Sequence, residues 1–392
     1  MKIAILTSGI LPIPSVHGGA VENLIDFYLD FNNQHHLHDI TVYSVWQPDV
    51  KLLPSLKSQV NHYYYIKHNG LWAKAKKYFY QKYHQNDYYH HSIEYFFDQA
   101  FNNLKKTQYD LIIVENRPGF VLKLKKRTKI PCVLHLHNDF LCKGILKAEE
   151  IYNGYKRIIC VSNYITKRVQ SICPTDHEKC LTVKNAIDIL RFENALPASR
   201  SQLYLSDKDF VIVFSGRLTK DKGILQLIQA IKQVQEIPNL KLLILGASAY
   251  GKDKQPTSFI KQLEKESEPI KDKVVFTGFI NYDQVPSYLK MADIAVVPSM
   301  WEEPFGLTVV EAMASGLPLI TTRSGGIPEI CEGAATIVDR ENIVENLANA
   351  ILDLYKHPEK RTEMAKASLE RSKLFKKEIY ARNFYKAIEK EI

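Results

Sequence analysis

The chain has 392 residues, 45% of them apolar, and carries 52 lysines and arginines against 43 acidic residues, a net charge of +9. That length exceeds the roughly 250–300 residues at which a single core stops growing, so two domains are expected. The balanced composition excludes a disordered or fibrous chain, and no apolar run reaches the ~18 residues of a spanning helix. The positive excess favours an anionic partner (a nucleotide, an anionic lipid or nucleic acid) without choosing among them. The start, MKIAILTSGI, lacks the small-residue cleavage site of a signal peptide, so a cytoplasmic protein is expected. The six cysteines, Cys132, Cys142, Cys160, Cys173, Cys180 and Cys331, form no C-x-x-C pair and read as reduced core residues.

In chain order, Lys2 to Ser8 is a β-branched run ending at Gly9. After Pro12 and Pro14 come His17-Gly18-Gly19 and a helix pattern through Val21, Leu24, Ile25, Tyr28 and Leu29. Strand, glycine loop and helix open a doubly wound α/β domain, and paired glycines let backbone N–H groups approach a phosphate. A plain tight turn fits Gly18-Gly19 as well. Asp39 to Val45 is the next strand. Residues 62 to 91 mix ten aromatics with five lysines and one acid, Asp87. A membrane-interface or lipid-pyrophosphate surface uses such a mixture, and so does a core helix with a solvated basic face. No RNP-type or helix-turn-helix pattern supports nucleic acid.

Asp110 to Glu115 and Ile130 to His137 are buried-strand runs, the second ending in HLHND. The two-residue period puts His135 and His137 on one face, which suits a metal site, but no third ligand is evident from the sequence. Arg157 to Ser162 and Leu181 to Asp188 are further strands, and the polar stretch Glu193 to Lys208 reads as a linker. The α/β rhythm then repeats in Phe210 to Phe214, Leu240 to Leu245, Val274 to Thr277 and Ile294 to Pro298. The first of these strands leads into SGRLTKDKG, where Arg217 and Lys222 stand five apart and can reach both phosphates of a nucleotide diphosphate. Solvated loop cations are the plain alternative.

The stretch SMWEEPFGLTVVEAMASGLPLITTRSGGIPEI, 299 to 330, sets Glu303 before a helix and Glu311 on its first turns. The N–H groups of Phe305, Gly306 and Leu307 are left free for an anion. Anion donors and hydroxyl acceptors together suit a phosphate joined to a sugar, although acids also favour helix starts through the dipole alone.

This stretch, with Pro304 and the Ser324-Gly325-Gly326 turn, resembles the signature of the retaining glycosyltransferases of family 4, which have the GT-B fold. The G-R-x-x-x-x-K-G segment at Gly216, the first glycine loop, the HLHND strand end and the LTVKNAID stretch are similar to the same family's motifs. Ala186 stands where that family usually has glycine, so the turn there would differ if its backbone needs positive φ. The resemblance implies an α/β protein of two Rossmann-like, doubly wound parallel-sheet domains facing a cleft. Residues 1–192 would be the acceptor-binding domain, joined by a C-terminal helix, 373–392, that crosses back. Residues 193–372 would bind the nucleotide-sugar donor. Glu311 would take the ribose hydroxyls, Glu303 the donor-sugar hydroxyls, Arg217 and Lys222 the diphosphate, and Gly18 and Gly19 the same phosphates. His137 would lie under the donor sugar, with Gly216 and the backbone around Gly278 and Phe279 completing the donor site.

The implied activity is retaining, metal-independent transfer of a hexose-type sugar, UDP-linked by analogy, to a glycan or lipid-linked glycan of cell-surface polysaccharide or lipopolysaccharide. No cofactor is expected, and no D-x-D loop occurs. Asp139 is the one carboxylate near the first-domain motifs, which favours front-face attack over a carboxylate nucleophile. Peripheral contact with an anionic inner membrane is a further expectation from residues 62–91 and the basic final helix. A non-hydrolysing nucleotide-sugar epimerase and a catalytically silent nucleotide-sugar-binding subunit are the two other readings.

Overall fold

A computed structural model describes residues 1–16, 19–67, 88–176, 178–247 and 257–390. It divides the chain into two compact units, Met1–Asn185 with Lys377–Ile392, and Ala186–Lys376. His17, Gly18 and residues 68–87 of the aromatic and lysine-rich stretch lie outside the described residues.

The first unit is built on seven strands, β1 Lys2–Leu6, β2 Asp39–Val45, β3 Asn61–Ile66, β4 Leu111–Glu115, β5 Cys132–Leu136, β6 Arg157–Cys160 and β7 Cys180–Thr182. Their order is β3-β2-β1-β4-β5-β6-β7, and every pairing is parallel. The second unit repeats the plan with β8 Phe210–Ser215, β9 Leu240–Leu245, β10 Val274–Gly278, β11 Ile294–Val297, β12 Leu319–Thr322 and β13 Thr336–Val338. Its order, β10-β9-β8-β11-β12-β13, is again all parallel. Parallel sheets covered by helices on both faces need strands apolar throughout. β1, β4, β5, β8 and β9 meet that need, with cores from Ile3 to Leu6 and Val211 to Phe214 at 2% exposure or less. In both sheets the strand order reverses at one place, between β1 and β4 and between β8 and β11. Loops at such a reversal splay apart and leave a crevice at the strands' carboxyl ends.

Several expectations change. Tyr63, Tyr64 and Tyr65 belong to β3 rather than to a helix, because alternate residues of Asn61–Ile66 turn inward beside β2. Glu193 to Lys208 is no linker. Arg200 anchors it within the second unit by donating to the Met291 carbonyl at 2.7 Å and to Asp293 at 3.2 Å. The change of unit falls at Asn185 and Ala186 rather than after residue 192, and the return at Lys376 and Lys377 rather than after residue 372. Within the second unit Ile187 pairs with Lys376 and donates to the Phe375 carbonyl at 3.1 Å, so the two ends of that unit lie side by side. Ala186 itself is buried and does not have positive φ, so this turn is made without the left-handed backbone that would favour glycine.

The chain's last helix, Lys377–Glu389, packs in the first unit on the helix Ala20–His35. Phe384 stacks on Tyr28 at 4.2 Å, Tyr385 donates to the Tyr28 carbonyl at 2.6 Å, and Arg157 donates to the Ala387 carbonyl at 2.8 Å. Leu374 and Ile379 are exposed, while Tyr380, Ala381 and Tyr385 take the inward positions. The six cysteines are all unpaired thiols. Cys142 and Cys173 are only half-buried, which departs from the core placement expected of them.

Candidate active site

In the second unit the loops after β8 and β11 meet at the sheet's reversal point. The backbone ties them, Met300 N–H donating to the Asp221 carbonyl at 2.8 Å, and the loop after β12 joins through Gly326 N–H, which donates to the Glu303 carbonyl at 2.8 Å. Two glycines make these approaches possible. A Cβ on Gly223 would come within 1.8 Å of the Pro298 carbonyl oxygen, and one on Gly325 within 2.2 Å of the Glu303 oxygen, both at positive φ. The loops are therefore locked against each other before any ligand enters.

That locking brings Lys222 onto Glu303. Lys222 Nζ lies 2.5 Å from Glu303 Oε1, and the Ser299 hydroxyl donates to the same oxygen at 2.8 Å. With two donors on Oε1, Oε2 remains the oxygen open to a further hydroxyl. The ammonium also sits over the Trp301 ring at 5.2 Å, a cation–π contact that fixes its direction. The neighbouring Glu302 pairs with Arg340 and accepts the Gly325 N–H at 2.6 Å, so of the two adjacent glutamates one braces the loop. Arg217, in the same loop as Lys222, is exposed and makes no ion pair among the described residues.

The helix Leu307–Ala314 follows, preceded by Gly306 with φ 108 and with no side chain capping its N-terminus. Its first amides are thus available to an anion. Phe305 and Pro304 are buried; Phe305 meets Phe375 edge-on at 5.7 Å, so any donor contact from Phe305 would come through its backbone. Glu311 faces inward from this helix, 7% exposed, and burial raises its pKa to about 7 against the lowering effects of Tyr282 and Arg191. The Tyr282 hydroxyl donates to Glu311 Oε1 at 2.9 Å, and Arg191 lies over the Tyr282 ring at 4.8 Å while pairing with Asp283. Gly278 ends β10 and Phe279 beyond it is 41% exposed. Gly216 continues β8, donating to the Leu245 carbonyl at 3.0 Å.

The first unit holds a second group. Glu115 at the end of β4 is the register partner of His135 on β5. It lies 3.1 Å from His135 Nδ1 and 2.9 Å from His137 Nε2, and the Tyr28 hydroxyl donates to it at 2.9 Å. Glu115, His135 and His137 are close enough to share a metal ion, so the third ligand missing from the sequence reading is present in space. Burial, the largest influence on Glu115, would raise its pKa. The two histidines outweigh that and hold the carboxyl down at about 2. Burial, followed by His135, lowers His137 to about 4. His135 packs against Phe384 at 4.9 Å. Gly19 precedes the helix Ala20–His35, and its carbonyl accepts the Asn23 N–H. Asp139 is half exposed, 3.8 Å from Arg168.

The sequence did not single out Ser299, Tyr282, Arg191 or Glu115. Glu115 carried a signal, a charge closing the apolar run LIIVE, whereas Tyr282 and Arg191 meet Glu311 only through folding.

Two doubly wound parallel sheets, one with cationic and acidic side chains gathered at its reversal point, place the chain in the class of two-domain, Rossmann-like α/β proteins. Comparison with known proteins makes this specific. The family model "Glycosyl transferases group 1" matches residues 197–371, and "Glycosyltransferase Family 4" matches residues 38–191. The chain belongs to this glycosyltransferase family, with its GT-B pair of Rossmann-like domains. It is 31% identical over 385 residues to spore coat protein SA of Bacillus subtilis, covering 94% of this chain and 93% of that protein. It is 26% identical over 261 residues to the lipopolysaccharide 1,2-N-acetylglucosaminetransferase of Salmonella typhimurium, 64% of this chain and 66% of that one. Among solved structures, Anabaena Alr3699/HepE in complex with UDP superposes with a TM-score of 0.75 at 20% identity, covering 99% of this chain and 100% of that one.

Proposed function

We propose that this glycosyltransferase moves a hexose-type sugar, with retention, from a UDP-sugar to a glycan or lipid-linked glycan of the cell surface, and does so without a metal ion. The observation that carries the reading is the paired acid and base at the second sheet's reversal point. Lys222 and Glu303 are locked together, and Glu311 is buried one helix turn beyond an uncapped helix start. Lys222 and Arg217, with the amides of Gly306 and Leu307, neutralise the diphosphate and stabilise it as it leaves. Glu303 Oε2 takes donor-sugar hydroxyls, Glu311 takes the ribose hydroxyls, and the backbone near Gly216, Gly278 and Phe279 borders the base. Gly18, Gly19 and His137 keep the phosphate and sugar contacts that family membership implies.

The reaction breaks the bond from the anomeric carbon to phosphate oxygen and forms one to the acceptor oxygen on the same face. The departing phosphate oxygen takes the acceptor's proton. The HepE complex with UDP and the lipopolysaccharide transferase support a uridine donor and a cell-surface acceptor. Among the described residues no helix is long and apolar enough to cross a membrane. We place the enzyme at the cytoplasmic face, where its basic surface would meet anionic lipid.

The test is transfer from UDP-hexoses by the wild type, Glu311→Ala and the Arg217→Ala, Lys222→Ala double variant, with the product's anomeric configuration read by NMR. Loss of transfer with intact circular dichroism supports the site. Unchanged turnover refutes it, and a new sugar nucleotide formed from donor alone would make the enzyme an epimerase.

A further inference from the structure

The Glu115 cluster is not explained by holding the fold alone. Three groups converge on one buried carboxylate: Tyr28 on Oε1, His137 on Oε2 and His135 within 3.2 Å of both oxygens. An ionised carboxylate only accepts hydrogen bonds. A neutral imidazole has one N–H, so a nitrogen that contacts such a carboxylate must carry it. His137 therefore keeps its proton on Nε2, and its Nδ1 is a bare lone pair. That Nδ1 is buried and has no hydrogen-bond partner among the described residues. The backbone beneath the ring is held as well, since the His137 backbone N–H donates to the Asn116 side chain at 3.1 Å. A buried acceptor left unpaired is costly unless something supplies a donor.

We propose that Glu115 is a positioning residue for sugar transfer: it locks His137 in the Nε2–H tautomer and so turns the Nδ1 lone pair into an acceptor for a substrate hydroxyl. The inference rests on the reading of His137 as a donor-sugar contact and adds what that contact must be. His137 receives a hydrogen bond and gives none. A hydroxyl-bearing sugar satisfies Nδ1, whereas a deoxy sugar at the same place would leave it unpaired. The charged and titratable groups facing His137 are Glu115 on β4, His135 on β5 and Tyr28 on the packed helix.

The experiment uses the full chain labelled with 15N-histidine, in two-bond 1H–15N correlation spectra, with His137 assigned by loss of its signals in His137→Asn. The expected wild-type pattern is a protonated Nε2 and an unprotonated Nδ1. Glu115→Gln, which can donate as well as accept, should mix the tautomers and lower kcat by about 10-fold with donor KM little changed, the scale of a lost orienting partner. His137→Asn, whose amide oxygen can replace Nδ1, should retain more transfer than His137→Gln, and in the His137→Asn background Glu115→Gln should have no further effect. A protonated Nδ1 in the wild type, or a zinc-dependent shift of these signals, overturns the proposal. So does a Glu115→Gln variant with unchanged spectrum and kcat. Transfer indifferent to His137→Ala would instead overturn the reading of His137 as a donor contact while the tautomer stands, so the nitrogen spectrum tells the two failures apart.

Discussion

With Glu311 proposed as the ribose contact, nucleotide binding is expected to depend on pH. The folded pKa of Glu311, about 7, lies above the ordinary carboxylate value, with burial as the main cause. The folded state therefore holds this proton longer than the unfolded chain. Its contribution to stability is present below the unfolded pKa and is lost as the pH rises through about 7. Ribose hydroxyls favour the ionised form, so affinity for a UDP-hexose, whose diphosphate has no terminal phosphate to titrate, should rise from about pH 6 to about pH 8 in calorimetric titration. The slope should vanish in Glu311→Gln, which should also bind more weakly. Gly325 offers a second check at this scale. Gly325→Ala forces a methyl onto the Glu303 carbonyl oxygen at a left-handed position. That strain costs about 1–3 kcal/mol. The variant should unfold earlier in urea and lose transfer, because the displaced carbonyl belongs to Glu303.

Among the elements, the last helix has the clearest energetic role. Phe384, fully buried on Tyr28, ties it to the first unit. Phe384→Ala should cost about 3–5 kcal/mol, measurable in urea unfolding. The same helix shows what the sequence could convey. Its apolar residues recur at helical spacing, but periodicity alone does not distinguish the exposed Ile379 from the buried Tyr380 beside it, because that depends on where Tyr28 lies. Strands β1, β4, β5, β8 and β9 were legible because burial on both faces demands largely apolar runs. β3 was not, since its tyrosines alternate burial and fall within an aromatic stretch with no break. β12 lies inside the stretch 299–330, read for its motif rather than for a strand, and β13 has only three residues. Lys222, Glu303 and Glu311 were legible because their spacing matches a family pattern. Tyr282 and Arg191 depend on the approach of β10's loop and the helix Ile189–Glu193 to Glu311, which no local pattern encodes.

At the scale of the whole molecule, two sheets of one design are placed in a single chain, and the second concentrates its polar chemistry where the strand order reverses. Such a site should respond to the diphosphate more than to the sugar. Thermal unfolding with UDP, UDP-sugars and free sugars should show the nucleotides raising Tm and free sugars leaving it unchanged. A ligand at 100 times its Kd contributes about 2.7 kcal/mol to stability. The central claim is that Arg217, Lys222 and Glu311 grip one nucleotide diphosphate, and calorimetric binding of a UDP-sugar tests it without needing the acceptor. The account predicts that the wild type binds, and that Glu311→Ala and the Arg217→Ala, Lys222→Ala double variant each bind at least about 10-fold more weakly, a loss of about 1.4 kcal/mol. Equal affinity in the wild type and both variants would contradict it.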